Sequence, residues 1–221
     1  MRRRLALPVF LLALAAGPAP AQNLVQNPNF TGSLAPWTAW PGDLTLGGTG
    51  ATSWSGSQDA GSNPASGSAQ VDFAGAPTTP NVTWGVRQCV DLSSVAPPVT
   101  QARFGGRFKA PTGQSPADDV SVQVEVFFYS AAGCNANDFL TGAQVGKLLN
   151  AGDLSDSLWP ALDLASPDLD LSATPGAASA EIRASVQRIG TNSTVLTAFF
   201  DDLYLALNGT VPVELTGFTA E

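Results

Sequence analysis

The strongest constraint on this chain is a side-chain period of two. Residues 119–129 read DVSVQVEVFFY, with Val120, Val122, Val124, Val126 and Phe128 on one side and Ser121, Gln123, Glu125, Phe127 and Tyr129 on the other. Successive strand residues point to opposite faces, so this pattern predicts a half-buried strand with one dry face. Residues 178–188 repeat it, Ile182, Ala184 and Val186 opposing Glu181, Arg183, Ser185 and Gln187. Further strands are predicted over 68–73, 83–92, 102–110, 159–164, 168–171 and 195–207, separated by Gly, Pro and Ser turns. No window carries a helical period; 140–150 holds one short helical turn at most. The Gly/Ser-rich stretch 47–67 and the stretch 131–146 read as loops. About nine antiparallel strands with no helices argue an all-β sandwich.

Residues 1–22, MRRRLALPVFLLALAAGPAPAQ, differ in character. Three arginines, a short apolar run and Ala19-Pro20-Ala21 read as a signal peptide cleaved near Ala21. The run is shorter than the ~20 residues that span a bilayer, so the expected product is secreted, with no membrane insertion. Losing Arg2, Arg3 and Arg4 takes Lys+Arg from 10 to 7 against 18 Asp+Glu, and the net charge from −8 to −11. Such a chain repels nucleic acid and anionic lipid. Residues 23–207 read as one domain, expected to be a monomer, and 208–221 as a tail. Cys89 and Cys134 are the only cysteines. In an oxidising compartment they form a disulfide; free thiols or a metal pair are the other readings, and two Cys with no His make a poor zinc site.

Several motifs occur in order. "NLVQNPNF" (23–30) precedes "PW", and "FFDDLYL" (199–205) lies near the end. Between them stand "SWSGSQDAGSNPASGSAQV", "VRQCV" and "FFYSAAGC". Over 23–207 this order resembles the jelly-roll carbohydrate-binding modules, which are galactose-binding-like β-sandwiches, and within them a set of uncharacterised secreted bacterial domains. The resemblance implies a non-catalytic module that binds a polysaccharide or glycan. In many relatives a structural calcium pins the first strand to the last, and Asp201 matches the position of one ligand. The glutamate that follows the phenylalanine in the family is Thr31 here. Strand alternation puts Asp201 with Phe199, Leu203 and Leu205 on the apolar side. A buried carboxylate there needs a cation or hydrogen-bond donors, so calcium and capping by backbone amides are the two readings. Pro28 holds Asn27 extended, and Phe30 and Trp37 are expected to cap the sandwich as core aromatics.

The candidate sugar-binding residues are Arg87, Gln123, Glu125, Phe127, Tyr129, Arg183 and Gln187. If their strands are neighbours, one face carries planar polar groups among aromatic rings, which suits sugar hydroxyls and pyranose faces. A plain solvated sheet face with ordinary Arg/Glu pairs is the other reading. Trp54, in a Gly/Ser stretch beside Asp59, is either a platform at a loop tip, with Trp40 and Trp159, or a plug on the sandwich.

Enzymatic chemistry has little to work with. The chain has no histidine, which excludes Ser-His and Cys-His catalysis. Its glutamates are Glu125, Glu181, Glu214 and Glu221, and no clustered carboxylate motif is present. The alternative to a glycan binder is a structural or adhesive extracellular protein without sugar affinity. "VPVELTGFTAE" (211–221) resembles segments that precede anchoring domains, and the N-x-Ser/Thr sites at Asn81, Asn192 and Asn208 carry no weight.

Overall fold

The computed structural model describes residues 22–41, 47–95, 97–116, 119–164, 168–174, 176–191 and 195–208. Residues 1–21 of the expected leader, 209–221 of the tail and the Asn192 site lie outside them. The described residues form eleven strands: β1 Thr38–Trp40, β2 Gly47–Ser55, β3 Ser68–Pro77, β4 Val82–Asp91, β5 Gln101–Lys109, β6 Val120–Tyr129, β7 Phe139–Leu148, β8 Ala161–Asp163, β9 Leu169–Asp170, β10 Ser179–Arg188 and β11 Leu196–Leu207. They make two antiparallel sheets, one in the order β1-β4-β10-β6-β7 and the other β2-β3-β11-β5-β8, with β9 on β5. The fold is a jelly-roll β-sandwich. Among the described residues no helix is long and apolar enough to cross a membrane.

The alternation sets the interior. From the first sheet Val122, Val124, Val126 and Phe128 of β6 and Ile182, Ala184 and Val186 of β10 point inward. From the second, Val71, Phe73, Phe104, Phe108, Leu196 and Phe200 meet them. Phe30 and Trp37 cap one end as expected, buried with ring centroids 5.5 Å apart. The Trp37 indole N–H donates to the carbonyls of Gln26 and Asn27 at 3.1 and 3.2 Å. The disulfide Cys89–Cys134 ties β4 to the turn that follows β6.

Two stretches read as loops contain strands. Residues 47–55 form β2 and 139–148 form β7, each at a sheet edge. The latter also replaces the expected helical turn. Glycine and serine lower local strand propensity, but here small residues make room for a neighbour's ring. A Cβ on Gly50 would lie 2.2 Å from the Trp84 ring, and one on Gly142 would lie 2.7 Å from the Phe127 ring.

The opening stretch 23–30 is not a strand; it fastens itself to β11. Leu24 N–H donates to Leu205 O at 2.9 Å, Leu203 N–H to Pro28 O at 3.1 Å, and the Asn29 amide to Asp202 Oδ1 at 2.6 Å. At that point β11 carries a bulge, with Asp201 opposite Arg107, Tyr204 opposite Gly105, and Asp202 at φ +50°. The extra residue resets the alternation. Phe200 and Leu203 both reach the core, so Asp201 does not share a face with Leu203 and Leu205 as strand parity predicted.

Asp201 is fully buried, and its oxygens accept the backbone N–H of Ala60 and of Asp202, each at 2.8 Å. Among the described residues no group of three or more His, Cys, Asp or Glu is placed to hold a metal ion. In this geometry backbone amides cap Asp201.

Two outcomes follow. Opening the disulfide, which spans 45 residues, should lower unfolding free energy by about 3–4 kcal/mol, read by denaturant melts with and without reductant. Burial, opposed by the amides and reinforced by Asp202 and Asp59, pushes the Asp201 carboxyl up to about 8. Burial raises Asp202, Glu125 and Asp163 too. The native state then holds protons that the unfolded chain has released, so stability should fall as pH rises from about 4 to about 8. Thermal midpoints across that window in EDTA should decline and be unmoved by calcium; a midpoint that calcium lifts near pH 8 would restore the ion.

Candidate binding face

The register places seven of the predicted site residues on the outer face of the five-stranded sheet. Because all pairs are antiparallel, side chains line up in rows across the strands. One row runs Thr38, Arg87, Arg183, Glu125, Gln144. On one side of it lies the row Trp40, Gly85, Ser185, Gln123, Gly146. On the other lies Cys89, Glu181, Phe127, Gly142. Gln187 sits one row further out, between Thr83 and Ser121, and Tyr129 opposite Ser179 at the other end.

At the centre is a stack. The Arg183 guanidinium carbon lies 4.2 Å from the Trp40 ring centroid and 4.3 Å from that of Phe127. A guanidinium held between two aromatic faces is fixed in position by cation–π attraction. Its N–H groups meanwhile donate to Glu181 Oε1, and Arg87 Nη1 approaches Glu181 Oε2 at 3.4 Å. Glu181 is thus bracketed by both arginines. Tyr129 and Phe127 close the far side around Phe139, each with ring centroids 6.2 Å from it.

This is not an ordinary solvated face. Gln123 is 2 % exposed, Glu125 7 % and Ser185 0 %. Yet Gln123 Nε2, Glu125 Oε2 and Ser185 Oγ find no hydrogen-bond partner in the protein. Buried polar atoms are nearly always paired, and these three neighbouring exceptions form a polar layer beneath the surface of the face. Burial pushes the Glu125 carboxyl up, with Arg183 opposing and Glu181 adding to the rise. What the face presents to solvent is the half-buried rings of Trp40 and Phe127 and the exposed Arg87, above that buried polar layer.

Sequence reasoning placed Trp40 at a loop tip, whereas short β1 lays it over the side-chain-free Gly85 to reach Arg183. No local signal in the sequence reports that pairing. Trp54 does not join the face. It lies on β2 of the other sheet, 40 % exposed, with its indole N–H on Phe30 O at 2.6 Å. A Cβ on Gly67 would lie 2.8 Å from its Nε1, so the ring is seated on the Phe30 cap as a plug. Trp159 lies elsewhere again, its ring 5.0 Å from Lys109 Nζ. Beside Arg87, where β1 ends, a pocket of about 380 Å³ opens against the disulfide.

Neither a family model nor a curated protein matches this chain. Solved structures of similar fold include a family 61 carbohydrate-binding module in complex with β-1,4-galactotriose, at 17 % identity and TM-score 0.48, covering 83 % of this chain and 97 % of that one. A family 11 carbohydrate-binding module from Clostridium thermocellum, in complex with a β-1,3-1,4-mixed-linked tetrasaccharide, matches at 12 % and 0.47, over 88 % and 99 %. A Stig cyclase from Fischerella matches at 12 % and 0.47, over 86 % and 100 %. Likenesses of this extent describe the sandwich and assign no residue a role.

Proposed function

We propose that this protein is a secreted, non-catalytic binder of a carbohydrate chain, held on the outer face of the five-stranded sheet. The observation that carries the reading is the Trp40–Arg183–Phe127 stack with the exposed Arg87 beside Arg183 in the same row. Vicinal sugar hydroxyls act as donor and acceptor together, and planar polar side chains answer them in pairs. Pyranose rings also present apolar C–H faces, which aromatic side chains cover. The half-buried Phe127 and Trp40 border the polar groups on the two sides of the central row.

Arg183 orients rather than contacts. Its guanidinium faces are occupied by the two rings and its N–H groups by Glu181. It therefore sets the spacing of the aromatic walls and holds a fixed positive charge next to Glu125. Glu181 shares a salt bridge with each arginine and is 3 % exposed. A carboxylate so engaged is a poor nucleophile or base, which supports binding without turnover. Trp54 and Asp201 act in the frame, as plug and bulge cap.

A panel of soluble polysaccharides, titrated calorimetrically against the whole protein, tests the reading. Selective saturable binding is expected, weakened about tenfold by Phe127→Ala and by Trp40→Ala, each a lost ring contact of ~1–2 kcal/mol. Glu125→Gln should keep most of the affinity, and the wild type should release no reducing ends. Absence of binding from a protein with a cooperative melt would favour a structural or adhesive role. Sugar release lost in Glu125→Gln would make the protein a hydrolase.

A further inference from the structure

We infer that Arg87 and the pocket beside it select a sugar that bears a carboxylate, so that the bound chain contains uronic acid units. The inference rests on the glycan reading above and names the class of glycan.

The pocket of about 380 Å³ is lined by Gln26, Thr38, Arg87, Glu181 and the Cys89–Cys134 disulfide, among others. That volume lies within the range of small-ligand sites. It exists because β1 covers β4 only from Gly85 to Arg87. Beyond that point the chain at Gln26 takes over, its N–H donating to Gln88 Oε1 at 2.7 Å while the Gln88 amide returns a bond to Gln26 O at 2.8 Å. The gap between these two coverings is the pocket, and Arg87 and Glu181 stand both in it and on the candidate face.

The charges around it are unevenly committed. Arg183 is fully used by Trp40, Phe127 and Glu181. Glu181 in turn is 4 % exposed at its side chain and held most closely by Arg183. Arg87 has a side chain 44 % exposed and touches Glu181 through Nη1 alone, at 3.4 Å. It lines the pocket with a side chain that this one contact leaves largely uncommitted. Asp91, further along β4, accepts the N–H of Ser93 at 2.8 Å, and burial favours the neutral form of Glu125. Arg87 is thus the one of these two guanidinium groups left open, on a chain whose formal net charge is −8. An acidic protein of this kind repels polyanions in general, so an open guanidinium at the end of a sugar-binding face points to a specific anionic group. The fork matches a carboxylate in two parallel N–H···O bonds. The Thr38 hydroxyl and Gln26 line the same pocket for ring hydroxyls.

The test is titration of the whole protein with polygalacturonate, its methyl ester, alginate, neutral galactan and dextran sulfate, under one ionic strength. Binding to a uronate polymer is expected, and loss of it on methyl esterification. Arg87→Gln should weaken it by about 10- to 100-fold, the effect of a lost charge-assisted contact, and Arg87→Lys should fall between. The Arg87→Gln protein must melt with the wild type, with its disulfide intact. Equal binding of the ester or of neutral galactan overturns the uronate inference and leaves the glycan reading standing. So does unchanged affinity in Arg87→Gln. Dextran sulfate binding as tightly as uronate would mean charge attraction alone and overturn it. Binding to none of the arms, nor to any member of the wider panel, removes both readings.

Discussion

The dry layer between the two sheets positions everything else. Val122, Val124 and Val126 of β6 and Ile182, Ala184 and Val186 of β10 are fully buried on one side of their strands. Each valine and the isoleucine is worth roughly 1.5–3 kcal/mol by its removal from water, and Ala184 about 0.8 kcal/mol. Because side chains alternate strictly, fixing these residues inward fixes Gln123, Glu125, Phe127, Arg183 and Ser185 outward. A slip of one residue would bury Glu125 and Arg183 in hydrocarbon and expose the valines, so the core enforces the register. β10 is hydrogen-bonded over its whole length to β4 and to β6, and the candidate site stands on its most constrained part.

The polar groups of the face are then held with unusual economy. Arg183 keeps two rings apart and satisfies Glu181 at once. Small residues do the opposite work by leaving space. Gly85 lets β10 approach, since a Cβ there would lie 2.2 Å from Ala184 O, and Gly142 makes room for the Phe127 ring on the edge strand. Buried groups left without partners cost stability, and a cluster of them persists where the rest of the fold over-determines its geometry. The interior supplies that over-determination here.

The other end of the sandwich solves a different problem. A jelly roll must secure the chain that leads into it, and here backbone hydrogen bonds and the Asn29 amide tie 23–30 to the bulge of β11. Asp201 and Asp202 sit at that bulge with Arg107 3.3 Å from Asp202. Two adjacent acids in a buried turn are tolerable because amides and one guanidinium face them. This latch is remote in role from the sheet face: its chemistry concerns closure of the fold.

Much of this was legible in the sequence. Alternation in 119–129 and 178–188 gave those strands, their inner and outer sides, and six of the seven face residues, with Arg87 read from the stretch 83–92, since period two is a local property. The presence of two cysteines allowed one disulfide, Cys89–Cys134. The edge strands at 47–55 and 139–148 were not legible, because glycine and serine lower local propensity and only a neighbour's ring explains them. The bulge at Asp201 was hidden too, since one extra residue in β11 shows only against Arg107 and Gly105 of β5. Nor does any local pattern bring Trp40, Arg183 and Phe127 together, for they lie on three strands that the sheet order interleaves. The sequence alone determined an all-β chain with one polar face and its residue types. Only the tertiary structure decided which strands adjoin, and so which polar atoms are buried without partners, because pairing between distant segments is chosen by the shared core and not by the segments themselves.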